Sequence, residues 1–266
     1  LFRFVSDDHT QAKVLVKSLD AAGIKEIILV HQDDLAHSAL AKAMRKELYA
    51  IKAVIKGTIS YGAKETSFRP LIANIAKLLS PSIQKVGKEK ACVLIIGDNG
   101  IEDILFEATQ FRFLAQVRWF GSMPSAKSGF ILKDKDARSF AGKTSYQVPL
   151  LTANSKHKLF KYIQRQLFYR LKHQPDTHAF IAYDLLQVVA KTLRKTEAEN
   201  TKEFTAALVS AANSYKGLSG QLTLNKSGDR LKQSYEVRLV EQKLNRFRWK
   251  RAGKYFYDGE ELRAQK

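Results

Sequence analysis

Residues 23–48 read GIKEIILVHQDDLAHSALAKAMRKEL, and the fold turns on them. Ile27-Ile28-Leu29-Val30 is an unbroken β-branched and leucine run, the mark of a parallel strand covered by helices on both faces. His31-Gln32-Asp33-Asp34 reads as a polar loop. Leu40, Met44 and Leu48 then recur every four residues, so the following helix lays one apolar stripe on the sheet. In open α/β sheets the loop beyond a strand's carboxyl end is where ligands sit, which makes His31 to Ser38 a candidate binding loop.

The alternation continues outward from this unit. Upstream, Val14, Leu15, Leu19 and Ala22 lie at helical spacing, with Ser6 or Asp7 placed to cap the helix and Gly23 to stop it. Downstream, Ile51 to Ile55 reads as a second strand, followed by a loop holding Gly57, Tyr61 and Gly62. Phe68, Leu71, Ile72, Ile75, Leu78 and Leu79 mark a helix that Pro81 is expected to close. Ala91 to Ile96 is a third, buried strand ending in Gly97-Asp98-Asn99-Gly100. Ile101, Ile104, Leu105, Ala108 and Phe111 mark the next helix, and Val117 to Phe120 a fourth strand ending at Gly121. The first half therefore reads β-α-β-α-β-α-β, a parallel sheet with right-handed crossovers.

Ser122 to Lys143 reads as a polar loop, followed by a short strand at Ser145 to Val148. From Pro149 the pattern is helical: Phe160, Ile163, Leu167 and Leu171 form one face, Ala179 to Leu193 a second helix, and Phe204, Leu208 and Ala211 a third. Gly217 and Gly220 end that block. Strands return at Gln221 to Leu224, Ser234 to Val240 and Phe247 to Tyr257, with Arg251-Ala252-Gly253-Lys254 as a turn. Arg246, Arg248 and Lys250 alternate with Phe247 and Trp249, which reads either as a cationic ribbon with aromatic support or as a charge-protected edge hairpin with its aromatics in the core.

At 266 residues and 45% hydrophobic content the chain can bury one large or two modest cores, which excludes a disordered or fibrous class. No apolar run is long enough to span a membrane. The chain opens on Leu1 without a charged n-region and apolar h-region, so a signal peptide is expected outside this segment. Cys92, the sole cysteine, sits inside a buried strand and reads as core. The formal charge of +19 points to an anionic surface as partner, but the lysines and arginines are dispersed, as in ordinary basic proteins.

Several local patterns compete for chemistry. Gly97-Asp98-Asn99-Gly100 precedes a helix and could receive an anion or simply make a tight turn; the lysine and glycine spacing of a P-loop or dinucleotide fingerprint is missing. Asp33-Asp34 with Asp98 has a local likeness to the acidic pocket of a receiver domain, while Asp33 alone reads as a helix cap. His31 with His37, and His173 with His178, lack the spacing of a helical zinc site, so no metal site is expected. Gly-x-Ser-x-Gly is absent, and no catalytic residues are assigned.

In order along the chain, Phe2-Arg3 with Ser6-Asp7 and Gln11-Ala12, Gly23-Ile24-Lys25, Asp33 before Leu40-Ala41, Phe68, Phe120-Gly121, Pro175 before Tyr183-Asp184, and Gly217, Gly220 and Gly228-Asp229 resemble the type I periplasmic binding proteins. The resemblance is to the branched-chain amino acid and amide receptor group of ABC importers, Leu/Ile/Val-binding protein-like. It implies an α/β fold of two parallel-sheet lobes joined by crossovers, with the first lobe incomplete and the family's opening half-lobe lying before Phe2-Arg3. By this resemblance residues 1–22 end lobe one with a hinge helix, 23–149 form lobe two, 150–216 are the helical part of lobe one, and 217–266 return to lobe two and a basic C-terminal hairpin.

The resemblance further implies a non-catalytic, periplasmic or otherwise extracytoplasmic receptor with no cofactor, which captures a small polar ligand between its lobes and delivers it to the membrane subunits of an ABC importer. It also implies a monomer at full length and no specific nucleic acid. The ligand positions carried over are Ala36 and His37, Asp98 and Asn99, Met123, and Phe180 with Tyr183. Ala36-His37 replaces the family's aromatic-glycine pair, and Asn99 and Met123 also depart from its pattern. An amino acid's ammonium would then need Asp98 or Glu102, because desolvating it without a carboxylate costs several kcal/mol. The alternative is an interaction or regulatory module on the same fold that has lost amino acid binding.

Overall fold

The computed structural model describes residues 1–127, 130–195, 200–244 and 246–265. Within them the chain divides into two units, residues 8–150 with 236–253, and residues 1–7 with 151–235 and 254–266. The first unit runs α1 (Asp8–Ala21), β1 (Glu26–Gln32), α2 (Leu35–Leu48), β2 (Val54–Tyr61), α3 (Arg69–Val86), β3 (Ala91–Ile96), α4 (Ile101–Ala108), β4 (Arg118–Gly121), α5 (Phe130–Lys133), α6 (Lys135–Lys143) and β5 (Gln147–Leu151). β1 pairs in parallel with β2 and β3, β3 with β4, and β4 with β5, in the spatial order β2-β1-β3-β4-β5.

Two-residue alternation sends each strand's side chains into two different cores. Ile28, Val30, Val93, Ile95 and Trp119 meet α3, α4 and α6. Ile27, Leu29, Cys92, Leu94, Ile96 and Phe120 meet α1 and α2, where Leu40, Met44 and Leu48 form the expected stripe. Every residue of β3 is buried, Cys92 included, and burial pushes its thiol pKa up.

Several boundaries differ from the reading of the sequence. His31 and Gln32 belong to β1 and not to a loop, and α2 begins at Leu35 with Asp34, not Asp33, as its cap. The second strand starts at Val54, after a short 3-10 turn at Tyr49–Ile51, and runs through Gly57 to Tyr61. As an edge strand it exposes alternate residues, so it lacks the apolar run that marks β1 and β3. Pro81 sits inside α3, which continues to Val86 because Ser82, Ile83 and Val86 still pack inward. That burial outweighs the lost backbone hydrogen bond.

The expected loop of Ser122 to Lys143 is largely helical. α5 and α6 bury Ile131, Ala137, Phe140 and Ala141, and Asp134 caps α6 by accepting from Asp136 N at 3.0 Å and Ala137 N at 2.7 Å. Ser128 and Gly129 of that stretch lie outside the described residues, as do residues 196–199 of the expected helical block. Pro149 falls within β5 and does not open the helices.

The second unit holds α7 (Phe160–Leu171), α8 (Thr177–Lys195), α9 (Thr201–Asn213) and the two-residue antiparallel pair β6 (Lys216–Gly217) and β7 (Gly220–Gln221). The expected strand Gln221 to Leu224 is reduced to β7 and an isolated bridge from Leu224 to Arg230. Two long strands, β8 (Gln233–Lys243) and β9 (Arg246–Tyr257), each contribute residues to both units, and β10 (Leu262–Ala264) pairs antiparallel with the end of β9. β9 continues through Arg251–Lys254, which is therefore not a turn; the chain reverses near Leu244, at φ +55°, with Asn245 outside the described residues. Phe247 and Trp249 pack on the core, while Arg248 and Lys250 pair with Glu241 at 3.0 and 2.5 Å. The hairpin is thus charge-protected with partly buried aromatics packed on the core, and two of its cations are already matched.

A buried polar knot organises the second unit. Asp184 on α8 accepts from Leu218 N at 2.9 Å and from Ser219 N and Oγ at 2.7 Å each. Arg230 donates to Ser219 Oγ at 3.1 Å, to Ser219 O at 2.7 Å and to Gln221 O at 3.2 Å. Gly217 lies against this carboxylate, and a Cβ there would collide with it. Burial lowers the Arg230 pKa to about 10 against the opposing pull of Asp184, so the guanidinium stays charged at neutral pH.

Three outcomes follow from these contacts. Pro81→Ala restores a backbone donor on an exposed helix face and should raise stability by about 1–2 kcal/mol net of unfolded-state entropy, read from the urea midpoint; a lower midpoint would contradict the packing account. Asp184→Ala removes the charge that opposes the buried Arg230 and leaves Leu218 N, Ser219 N and Oγ and the Tyr215 hydroxyl without their acceptor, so it should cost about 3–5 kcal/mol in the same measurement; a loss under about 1 kcal/mol would contradict this account. Asp34 is raised by partial burial but held down more strongly by hydrogen bonds from His37 N, the His37 ring and Gln32, to a pKa of about 2. Its contribution is therefore complete above the unfolded value of about 4 and is lost as pH falls toward 2. Asp34→Ala should cost about 1 kcal/mol at neutral pH and flatten the stability profile between those values.

Candidate functional site

In the order β2-β1-β3-β4-β5 the chain leaves β1 toward one side and β3 toward the other. The crevice outside the carboxyl ends of β1 and β3 is thus the topological switch point of the sheet, where open α/β sheets bind ligands. Two segments meet there, Gln32 to His37 and Gly97 to Gly100.

Gln32, the last residue of β1, joins them. Its side chain is buried, with Oε1 accepting from Asn99 N at 3.2 Å and Nε2 donating to Asp34 Oδ2 at 2.7 Å. Asp34 in turn accepts from His37 N at 2.9 Å and from His37 Nδ1 at 2.6 Å, which fixes the imidazole against the first turn of α2. Tyr61, closing β2, donates to Asn99 O at 3.0 Å, so both backbone polar groups of Asn99 are held. Burial raises the Tyr61 pKa, which keeps the phenol a neutral donor. Gly97 allows this: a Cβ there would overlap the Tyr61 hydroxyl.

The network continues to β4. Ser122 Oγ accepts from Gly97 N at 3.2 Å and donates to Gly97 O at 3.1 Å. Ser125 Oγ donates to Ser122 O at 2.6 Å and accepts from the buried Tyr146 hydroxyl at 2.9 Å. Met123 N donates to Gln11 Oε1 of α1 at 3.0 Å. The loops at the carboxyl edge therefore form one hydrogen-bonded rim. Such a rim holds exposed groups in place before a ligand arrives, which spares ordering entropy on binding.

The structure brings His37, Asp98, Asn99 and Met123 onto this rim, with Asp98 and Asn99 exposed. Ala36 is also exposed, beside Leu35 in the first turn of α2. Gly100 takes φ +70°, as the tight-turn reading of residues 97–100 requires, and Glu102 and Asp103 occupy the first turn of α4. Asp103 is raised by burial and by its acidic neighbours Glu102, Asp134 and Glu107, so this helix start is already negatively charged. Phe180 and Tyr183 lie on α8 in the other unit. Phe180 is core, 4.9 Å from the Phe160 ring and packed with Ile163 and Leu218, and Tyr183 flanks the same cluster.

Gln32, Tyr61, Ser122, Ser125 and Tyr146 are rim residues that the sequence reading did not assign to the site. The available signal was a buried strand ending in an uncharged polar residue, since a Gln or Ser there must find partners. Among the described residues no group of three or more metal-ligating side chains is found.

A model of the receptor family ligand binding region matches residues 1–241. No curated protein sequence matches the chain. Among solved structures, an ABC transporter solute binding protein from R. palustris in complex with benzoate superposes with a TM-score of 0.69 at 16% identity, covering 93% of this chain and 64% of that one. An ABC transporter substrate-binding protein from Desulfitobacterium hafniense in complex with Leu gives 0.65 at 16% identity, with coverage of 94% and 67%. A leucine binding protein from Thermotoga maritima gives 0.71 at 12% identity, with coverage of 91% and 65%. The chain thus spans about two thirds of the length of these proteins, and at such identities the likeness is one of fold. The family model supplies the rest, covering 241 of 266 residues with the switch-point rim among them: this chain belongs to the receptor family ligand binding region.

Proposed function

We propose that the protein is a non-catalytic solute-binding receptor, acting outside the cytoplasm, that captures a small polar molecule for an ABC importer. An amino acid, an amide or a small organic acid fits the available groups. The observation that carries this reading is the preassembled rim at the switch point, within a chain that matches the receptor family along most of its length. Asp98 would meet an ammonium or amide N–H, Asn99 would donate to a carboxylate or both donate to and accept from an amide, and His37, fixed by Asp34, would add a polar contact. Met123 and Ala36 would line the apolar side.

Support also comes from the solute-binding proteins of similar fold, crystallised with leucine and with benzoate. Capture without chemistry works by population: the ligand favours the bound conformation by its differential affinity for it. A second reading, an interaction module on the same fold, draws on Leu35, which is 90% exposed next to Ala36 where the family has an aromatic-glycine pair.

Thermal melts with a panel of amino acids, amides and small aromatic or aliphatic acids separate the two. A true ligand should stabilise by about 2.7 kcal/mol at about 100 times its Kd, with Tm rising further with concentration. Asp98→Ala with Asn99→Ala should then weaken binding by about 10-fold or more, because charge-assisted hydrogen bonds are lost. A panel without a single stabilising compound would favour the interaction module.

A further inference from the structure

α7 presents a surface that solute capture does not use. From Lys156 to Pro175 the chain carries Lys156, Lys158, Lys161, Arg165, Arg170 and Lys172, and no carboxylate. Only Ile163 on α7 is buried, with Phe160 and Leu167 packed beside it on the inward face. Tyr162, Arg165 and Tyr169 follow at three- and four-residue steps and so share the outward face, with Lys161 and Phe168 on its flank. Tyr162 is 61% exposed and Tyr169 59%. Beside them lies an open hollow of about 400 Å³ lined by Lys161, Gln164, Arg165, Phe168 and Gln174.

We propose that this face of α7 docks on an anionic phospholipid surface, with headgroup phosphates seated against Lys161 and Arg165 in the hollow. The charge is complementary along the whole segment, and Arg offers two N–H donors to each phosphate. Tyrosine suits this boundary because its ring enters the apolar margin while its hydroxyl stays with the headgroups. A convex helix favours a membrane over single-stranded nucleic acid, which needs a groove that tracks the backbone and stacks successive bases. The inference is independent of the solute reading, since it uses neither the rim nor its residues.

The test is co-sedimentation of the full chain with vesicles of phosphatidylglycerol and phosphatidylcholine, and with phosphatidylcholine alone. Binding should require the anionic lipid and fall as salt rises. Lys161→Gln with Arg165→Gln should weaken it by about 30-fold, as removal of two surface-matched cations implies. Lys88→Gln with Lys90→Gln, an equal charge change on the other unit, should weaken it by less than about 3-fold. Tyr162→Ser with Tyr169→Ser should remove the part of binding that survives high salt. Equal losses from the two lysine and arginine pairs would reduce the effect to net charge and overturn the proposal. So would failure to bind anionic vesicles, or retention on single-stranded DNA without vesicle binding. Circular dichroism checks each variant; should the cation pair fail to fold, the tyrosine pair decides, and its unchanged partition would overturn the proposal.

Discussion

Burying β1 and β3 on both faces is the constraint from which the larger unit follows. With Ile27–Val30 of β1 and the whole of β3 apolar and buried, neither strand can sit at an edge, because its backbone donors and acceptors would be stranded away from water. β1 must lie between β2 and β3, and β3 between β1 and β4. Helices must then cover both faces, and alternate residues of the same strands feed two separate cores. The edge strand β2, free of that demand, alternates exposed and half-buried residues.

The same sheet positions the candidate site. Parallel strands end together, so their carboxyl ends present loops from distant parts of the sequence along one edge. Gln32 and Asn99 are 67 residues apart, yet one amide group ties them. The rim is polar because strand ends leave backbone groups unpaired, and Gln32, Ser122 and Tyr61 satisfy them while leaving Asp98 and Asn99 directed outward. Rigidity in the frame and exposure at its tips is what a receptor of small polar molecules needs.

The second unit uses a different principle. Its described strands are short, and a small apolar cluster of Ile163, Phe180 and Leu218 sits beside a buried carboxylate, a serine and an arginine in series. Such a knot adds modestly to stability when complete and costs much more when one member is lost. Its value is in specifying geometry: Asp184 binds the turn between β6 and β7 to α8, and Arg230 gathers the strand ends around it. Phe180 lies in that cluster and Tyr183 packs against it.

The sequence alone determined the parallel α/β class, the order of strands and helices through β4, the burial of Cys92 and the family. Those depend on periodicity and local strings, which are written along the chain. Only tertiary structure decided that α3 passes through Pro81, that residues 130–143 are helical, and that Arg251–Lys254 is strand. In each case packing against a distant element outweighed a local preference. The same holds for the site. Asp98 and Asn99 were legible as a loop after a buried strand. Gln32 was not legible as the residue that holds them, because its partners become neighbours only when β1 and β3 pair side by side.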